Sequence, residues 1–264
     1  MMRTLYIAAT GMTTQQDNID VTANNIANVN TSGFKKYRAQ FATLLSQTVR
    51  TPGSIGPQGT TLPVGLQFGL GARTVATQMM TSQGPLLNTG NPTDLAIEGN
   101  GYFQIQLDNG QIAYTRDGSF KIDANGQMVT SDGFLLQPNI TIPSNATEII
   151  VQQDGTVSVR LAGQPDINQV GQINLVQFAN PAGLQSMGRN LFLQTPASGQ
   201  PQQGQPGQGD FASTLIDQGF LEGSNAQIVE EMINLITAQR AFEANSKGIQ
   251  TADEMLAQAN QLKR

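Results

Sequence analysis

The last forty residues constrain this chain most. Ile228, Leu235, Phe242, Ile249 and Leu256 recur every seven residues, and Ala238 and Ala252 fall three residues after two of them. A period of seven held over five repeats predicts a helix that offers one narrow stripe to a helical partner. Ser224-Asn225-Ala226-Gln227 reads as a capping box: the Ser224 side chain accepts from the N–H of Gln227, and the Gln227 side chain reaches back. Glu230 and Glu231 near the start, with Lys263 and Arg264 at the end, complement the helix dipole. The predicted helix runs from about residue 225 nearly to the last residue.

The other end repeats the pattern. Leu5, Met12, Ile19 and Ile26 are also spaced by sevens, and Asn28, Asn30, Ser32 and Gly33 stop the helix. Four large side chains supply roughly 8 kcal/mol of burial. Ordering each residue of such a helix costs about 1–2 kcal/mol before hydrogen bonding offsets it. Two stripes this thin, packed only on each other, are marginal. The termini are expected to gain full order against neighbouring copies of the chain. A two-helix hairpin clasping a single β domain is the plainer alternative.

Between the helices the pattern changes period. Asp108-Asn109-Gly110, Asp117-Gly118, Asn125-Gly126, Asp132-Gly133 and Asp154-Gly155 are hairpin-turn signals. Short strand-like runs separate them: residues 102–107, 113–115, 119–122, 127–129, 148–151, 156–159 and 171–176. Turns every 8–12 residues predict an antiparallel sandwich or barrel. Thr51 to Gly71 carries three Pro and six Gly with poor periodicity and reads as an extended arm; Pro196 to Gly209 reads as a flexible surface loop. The fold class expected is α+β: long terminal helices forming a coiled-coil pair, an all-β antiparallel central domain and an extended arm. The expected division is a helical core of 1–30 and 224–264, a connecting region of 31–75 and 211–223 with the arm at about 46–71, and a β-rich outer domain of 76–210.

Composition removes whole classes of chemistry. The 264 residues include no Cys, His or Trp. Disulfides, zinc-thiolate sites and histidine- or cysteine-based nucleophile pairs are excluded. The net charge of −5 argues against a nucleic-acid partner. That charge is uneven: +3 over residues 1–50, −7 over 51–223 and −1 over 224–264. No apolar run approaches the ~18 residues of a membrane span, so no membrane insertion is expected. The first residues lack the apolar stretch and cleavage site of a secretory signal. The chain is expected either to stay in the cytoplasm or to leave by a route without a cleaved leader.

Several segments, taken together, carry a resemblance. Residues 24–36 read Asn-Asn-Ile-Ala-Asn-Val-Asn-Thr-Ser-Gly-Phe-Lys-Lys, with Asn24, Asn25, Ala27, Asn28, Thr31, Gly33, Phe34 and Lys35 the telling positions. Ser82-Gln83-Gly84-Pro85-Leu86, then 95–103 (Leu-Ala-Ile-Glu-Gly-Asn-Gly-Tyr-Phe) and 114–120 (Tyr-Thr-Arg-Asp-Gly-Ser-Phe), form a middle match. Residues 218–225 (Gln-Gly-Phe-Leu-Glu-Gly-Ser-Asn), 229–233 and 239–245 form a third. In this order, over nearly the whole chain, they resemble the bacterial flagellar rod and hook proteins. The resemblance implies a helical homopolymer in the basal body, spanning the periplasm as a hollow drive shaft. It implies export through the flagellar type III apparatus, assembly under a rod cap, and contact with proximal rod proteins, the hook or its junction, and the P- and L-ring bushing. Length and the arm fit the distal rod subunit. A proximal rod paralogue or a short hook-type protein is the alternative.

On that reading Leu5, Met12, Ile19, Ile26, Ile228, Leu235, Phe242, Ile249 and Leu256 are the assembly seam, and Pro52, Pro57, Pro63 and Leu66 mark a stiffening arm. The asparagines Asn24, Asn25, Asn28 and Asn30 are expected either to bond across subunits or to finish the helix as cap and turn residues. Gly33 is expected at positive φ in a turn anchored by Phe34. Lys35, Lys36 and Arg38 read first as a solvated basic face, with a contact to the acidic middle of a neighbouring subunit as the alternative. No catalytic, cofactor or metal residue is expected: the glycine-rich stretches lack a phosphate-binding lysine, and no Asp-Gly turn has calcium-loop spacing. A carboxylate-dependent glycosidase and a secreted β-sandwich adhesin are the readings from other classes.

Overall fold

The computed structural model describes residues 2–53, 63–163 and 166–261. Pro57, Lys263 and Arg264 lie outside them. The fold is α+β: two terminal helices and a mostly antiparallel β middle. Helix α1 spans Met2–Ala27 and helix α2 spans Ile228–Gln261. The start of α2 differs from the capping-box expectation. The Ser224 hydroxyl accepts from the N–H of Ala226 at 3.1 Å, closing a tight turn before the helix begins.

The chain divides into two compact units. The first gathers residues 1–26, 37–78 and 228–264; the second gathers 27–36 and 79–227. In the first unit, β1 (Tyr37–Thr43) pairs with β4 (Ala72–Met79), and β2 (Gln47–Arg50) pairs antiparallel with β3 (Leu66–Phe68). These ladders nest one inside the other, so β3, within the stretch read as irregular, pairs with β2 just before that stretch. Its short strands lack the alternation that marks a half-buried sheet, and β2 and β3 are exposed throughout.

The second unit holds the core. Its strands include β5 (Leu86–Asn88), β6 (Leu95–Glu98), β7 (Tyr102–Gln106) and β8 (Ile112–Thr115). A nine-stranded sheet is built around β7. One edge of β7 pairs with β8; the other is shared by Leu135–Gln137 and Leu175–Gln177. Alternation along β7 sends Phe103 and Ile105 inward, where they join Leu95, Ile97, Phe120, Leu136, Ile173 and Ile216, all fully buried. The Phe103 and Phe120 rings meet edge to face at 5.1 Å. A three-stranded meander (146–151, 156–161 and 167–172) adds Val157 and Val159 to the same core. The Asn-Gly and Asp-Gly turns at Gly110, Gly126, Gly133 and Gly155 have positive φ; Gly118 does not.

The Pro- and Gly-rich stretch 196–209 is ordered, contrary to expectation. Gln202–Gly204 pairs with Leu175–Gln177, Ser198 is fully buried, and Thr195 and Ser198 bond to each other's backbone. Backbone pairing and side-chain turns hold it where apolar burial could not.

Candidate functional site

Parts of three motifs that carried the resemblance, at Lys35, at 82–116 and at Glu222, converge inside the second unit on one buried ion cluster. The Lys35 ammonium donates to Glu222 Oε1 at 2.5 Å, and Arg116 Nη1 donates to Glu222 Oε2 at 3.1 Å. Lys35, Arg116 and Glu222 are 2%, 4% and 1% exposed. Neighbouring motifs complete the shell. Lys35 also donates to the Ser82 carbonyl at 2.9 Å, and the Gly84 N–H donates to Glu222 Oε1 at 2.9 Å. Arg116 reaches the Ile97 and Gly99 carbonyls. Two cations thus share one carboxylate out of water, an arrangement sustained only when each charge is paired and hydrogen-bonded. Burial pushes the Lys35 ammonium below its ordinary value; attraction to Glu222 opposes this, and Arg116 adds to it. Arg116 Nε is the buried side-chain polar atom that finds no partner among the described residues.

The solvated-face reading of Lys35 is therefore overturned. Lysine is normally a surface residue, and its counter-charge lies 187 positions away, out of reach of any local pattern. Gly33 has φ +68°, as expected, and its N–H donates to the Glu222 carbonyl at 2.7 Å. A Cβ there would sit 2.7 Å from the Arg116 carbonyl carbon. Asn225 is a hub that sequence reasoning missed. Its carboxamide accepts from the Lys36 N–H at 2.7 Å and donates to the Met80 and Ser82 carbonyls.

Within the first unit the helices touch at two described places. A Cβ added to Gly11 would come 2.9 Å from the Asn245 amide nitrogen. The Asn25 amide donates to the Glu231 carboxylate at 3.2 Å and to the Tyr37 carbonyl at 2.8 Å, and its oxygen accepts from the Tyr37 N–H. Asn25 is thus satisfied within its own chain, whereas Asn28 closes the turn after α1 by accepting from Thr31. Between these contacts α1 advances as far as α2 retreats, so the helices run antiparallel. On α2 the inward positions follow a 4-3 spacing: Glu231, Leu235, Ala238, Phe242, Asn245, Ile249, Ala252 and Leu256 are buried or half-buried. Ile228, the first residue of the helix, is 47% exposed. On α1 the buried residues are Thr14, Thr22 and Asn25, while Leu5, Met12, Ile19 and Ile26 are half-buried.

One fact dominates the first unit. Among its described residues, the only buried apolar ones are three alanines, Ala39, Ala238 and Ala252; the buried Met79 that ends β4 belongs to the second unit. Large apolar side chains are left in water: Val229, Met232, Ile233 and Ile236 on α2 at i, i+3, i+4, i+7 spacing, Tyr6 on α1, and Phe41, Leu45 and Val49 on or beside β1 and β2. Beside them an open groove of about 660 Å³ is lined by Tyr6, Leu44, Leu45, Leu70 and Arg73. Pro52, Pro63 and Leu66 stand on the described flanks of the arm, all exposed. Among the described residues no group of acidic side chains is arranged to hold a metal ion, and no helix is long and apolar enough to cross a membrane.

Three family models match the chain. Residues 5–35 match the flagella basal body rod protein model, 96–159 the flagellar hook protein FlgE/F/G D1 domain, and 217–262 the flagellar basal body rod FlgEFG protein C-terminal model. The chain belongs to the flagellar basal-body rod protein family. Its full-length relatives include the flagellar basal-body rod protein FlgG of Borreliella burgdorferi, 48% identical over 266 residues covering all of both chains. The FlgG of Buchnera aphidicola subsp. Acyrthosiphon pisum is 47% identical over 99% of this chain and all of that one. The flagellar hook-basal body complex protein FlhP of Bacillus subtilis is 31% identical over the full length of both. A solved hook protein, FlgE2 of Helicobacter pylori, aligns with 64% of this chain and 47% of that one at 14% identity. With a TM-score of 0.24, that alignment carries no argument.

Proposed function

We propose that this chain is the structural subunit of a bacterial flagellar distal rod, as the family and its FlgG relatives suggest. It polymerises into a rigid hollow shaft that carries torque from motor to hook. The observation that carries this reading is the first unit's missing core. A unit that buries three alanines and exposes a stripe of Val229, Met232, Ile233 and Ile236 completes its packing against other copies. In the polymer the helical core of 1–30 and 224–264 forms coiled-coil tubes, with the heptad rows pairing α1 and α2 and the exposed stripe meeting neighbouring copies. The residues of about 76–210 face outward, and the arm at about 46–71 bridges neighbours and stiffens the tube. Subunits arrive unfolded through the type III apparatus and add beneath a rod cap. Proximal rod proteins, the hook junction and the P- and L-ring bushing are the expected neighbours. The role is mechanical, not catalytic.

Deleting the gene and imaging purified basal bodies by electron microscopy tests this. The expected result is rings on a short proximal stub, with neither distal rod nor hook. Loss of the stub as well would assign the chain to a proximal position, and intact rods and hooks would defeat the proposal.

A further inference from the structure

The ion cluster joins three parts of the chain that are far apart. Glu222 lies 187 residues from Lys35 and 106 from Arg116. It sits at the end of the last strand of the second unit, Phe220–Glu222, which pairs with β5. That short strand is gripped from both sides. The Gly33 N–H donates to the Glu222 carbonyl, the Gly84 N–H to its carboxylate, and the Gly223 N–H to the Pro85 carbonyl. Without this strand in place, Lys35 and Arg116 lose the one carboxylate they share. Uncompensated charge in the interior costs far more than a lost contact, whereas replacing the entire cluster with apolar groups is often neutral. The cluster therefore penalises one kind of species selectively: a second unit folded except for its final strand.

We propose that Lys35, Arg116 and Glu222 form a closing latch, which makes folding of the second unit all-or-none and dependent on the arrival of its last strand. The latch acts on cooperativity rather than on net stability. The unit stays open while residues up to about 221 are present and closes when Glu222 neutralises the two cations. This device works within one subunit and is independent of any assembled state, so it is read on the full-length monomer.

The test compares three chains by native-state hydrogen exchange and denaturant unfolding. In the parent, amides of 220–222, β7 and β8 are expected to exchange through one common opening. Glu222→Gln keeps the shape but removes the counter-charge, and should lower the folding equilibrium constant by about a hundredfold or more. The apolar triple variant Lys35→Met/Arg116→Leu/Glu222→Leu should recover most of that loss. Its 220–222 amides should nevertheless exchange at least about tenfold faster than those of β7, because the partly open state is no longer penalised. If Glu222→Gln fails to fold, the triple variant decides alone. The latch is refuted if Glu222→Gln folds within threefold of the parent, or if residues 220–222 of the triple variant still exchange in step with β7.

Discussion

Arg189 and Asn190 are the non-glycine residues with positive φ among the described residues, at 55° and 58°. They form the two-residue loop between strands Gln185–Gly188 and Leu191–Leu193, where the twist of a hairpin favours a left-handed turn. Asn190 is held there: its amide donates to the Ser32 carbonyl at 3.1 Å and its own carbonyl accepts from Thr115 Oγ1 at 2.8 Å. Arg189 has no comparable tether, since its guanidinium reaches Asp132 only at 4.0 Å and both side chains are largely exposed. A left-handed residue carrying a Cβ is strained by about 1–2 kcal/mol, part of which glycine recovers after its own entropic cost. Arg189→Gly should therefore raise stability by about 0.5–1 kcal/mol, read as a higher denaturant midpoint at unchanged slope. Arg189→Val should lower the midpoint. Sequence reading located turns where Gly followed Asn or Asp and missed this one, in which tertiary bonds to Asn190 replace the usual glycine. Lys35 was misread for a related reason: its environment is made by residues 82 and 222, which no local spacing reveals.

At the scale of elements, α2 turns one row toward α1 and leaves the stripe of Val229, Met232, Ile233 and Ile236 exposed. Both heptad rows were legible, because a period of seven survives whatever the helix packs against. The d-like row was seen only at its alanines; Glu231 and Asn245 occupy the same row, and polar residues do not register in a hydrophobic pattern. The adjacent stripe of Val229, Met232, Ile233 and Ile236 spans only two turns, too short for its period to mark it as an apolar face. These faces give opposite predictions. Leu235 is half-buried on the inner row, so Leu235→Asp should loosen the helix contact and lower helicity by circular dichroism. Ile233 is 58% exposed, so Ile233→Asp should leave the monomer's melting within about 0.5 kcal/mol of the parent. Sedimentation and electron microscopy should nevertheless show that Ile233→Asp does not polymerise. Normal rods from Ile233→Asp would show that this stripe is not an intersubunit face.

For the whole molecule, burial is concentrated in one unit. Among the described residues, the largest fully buried side chains, from Lys35 to Ile216, all belong to the second unit, as does the buried Glu222. The first unit, with three buried alanines, has little to resist opening. Limited proteolysis of the monomer should therefore cut first within 2–26, 37–53 and 228–261, and leave residues of about 79–227 resistant. A chain whose α2 resists as long as β7 would contradict this ranking. The α+β class, the terminal helices and the antiparallel middle were all readable from the seven-residue period at the ends and the turn signals every 8–12 residues between them. The partition between units was not, because it depends on which segments share a core.

That partition has a consequence for how such chains vary. The second unit enters and leaves the first through few crossings: residues 79–227 form one uninterrupted stretch, joined only by 27–36. The antiparallel contacts Gly11 with Asn245 and Asn25 with Glu231 are made without any residue of that stretch. It is thus a cassette. Loops within it can lengthen, or surface can be exchanged, while the two helices keep their register. One helical pair can in this way persist through divergence of the stretch inserted between its members.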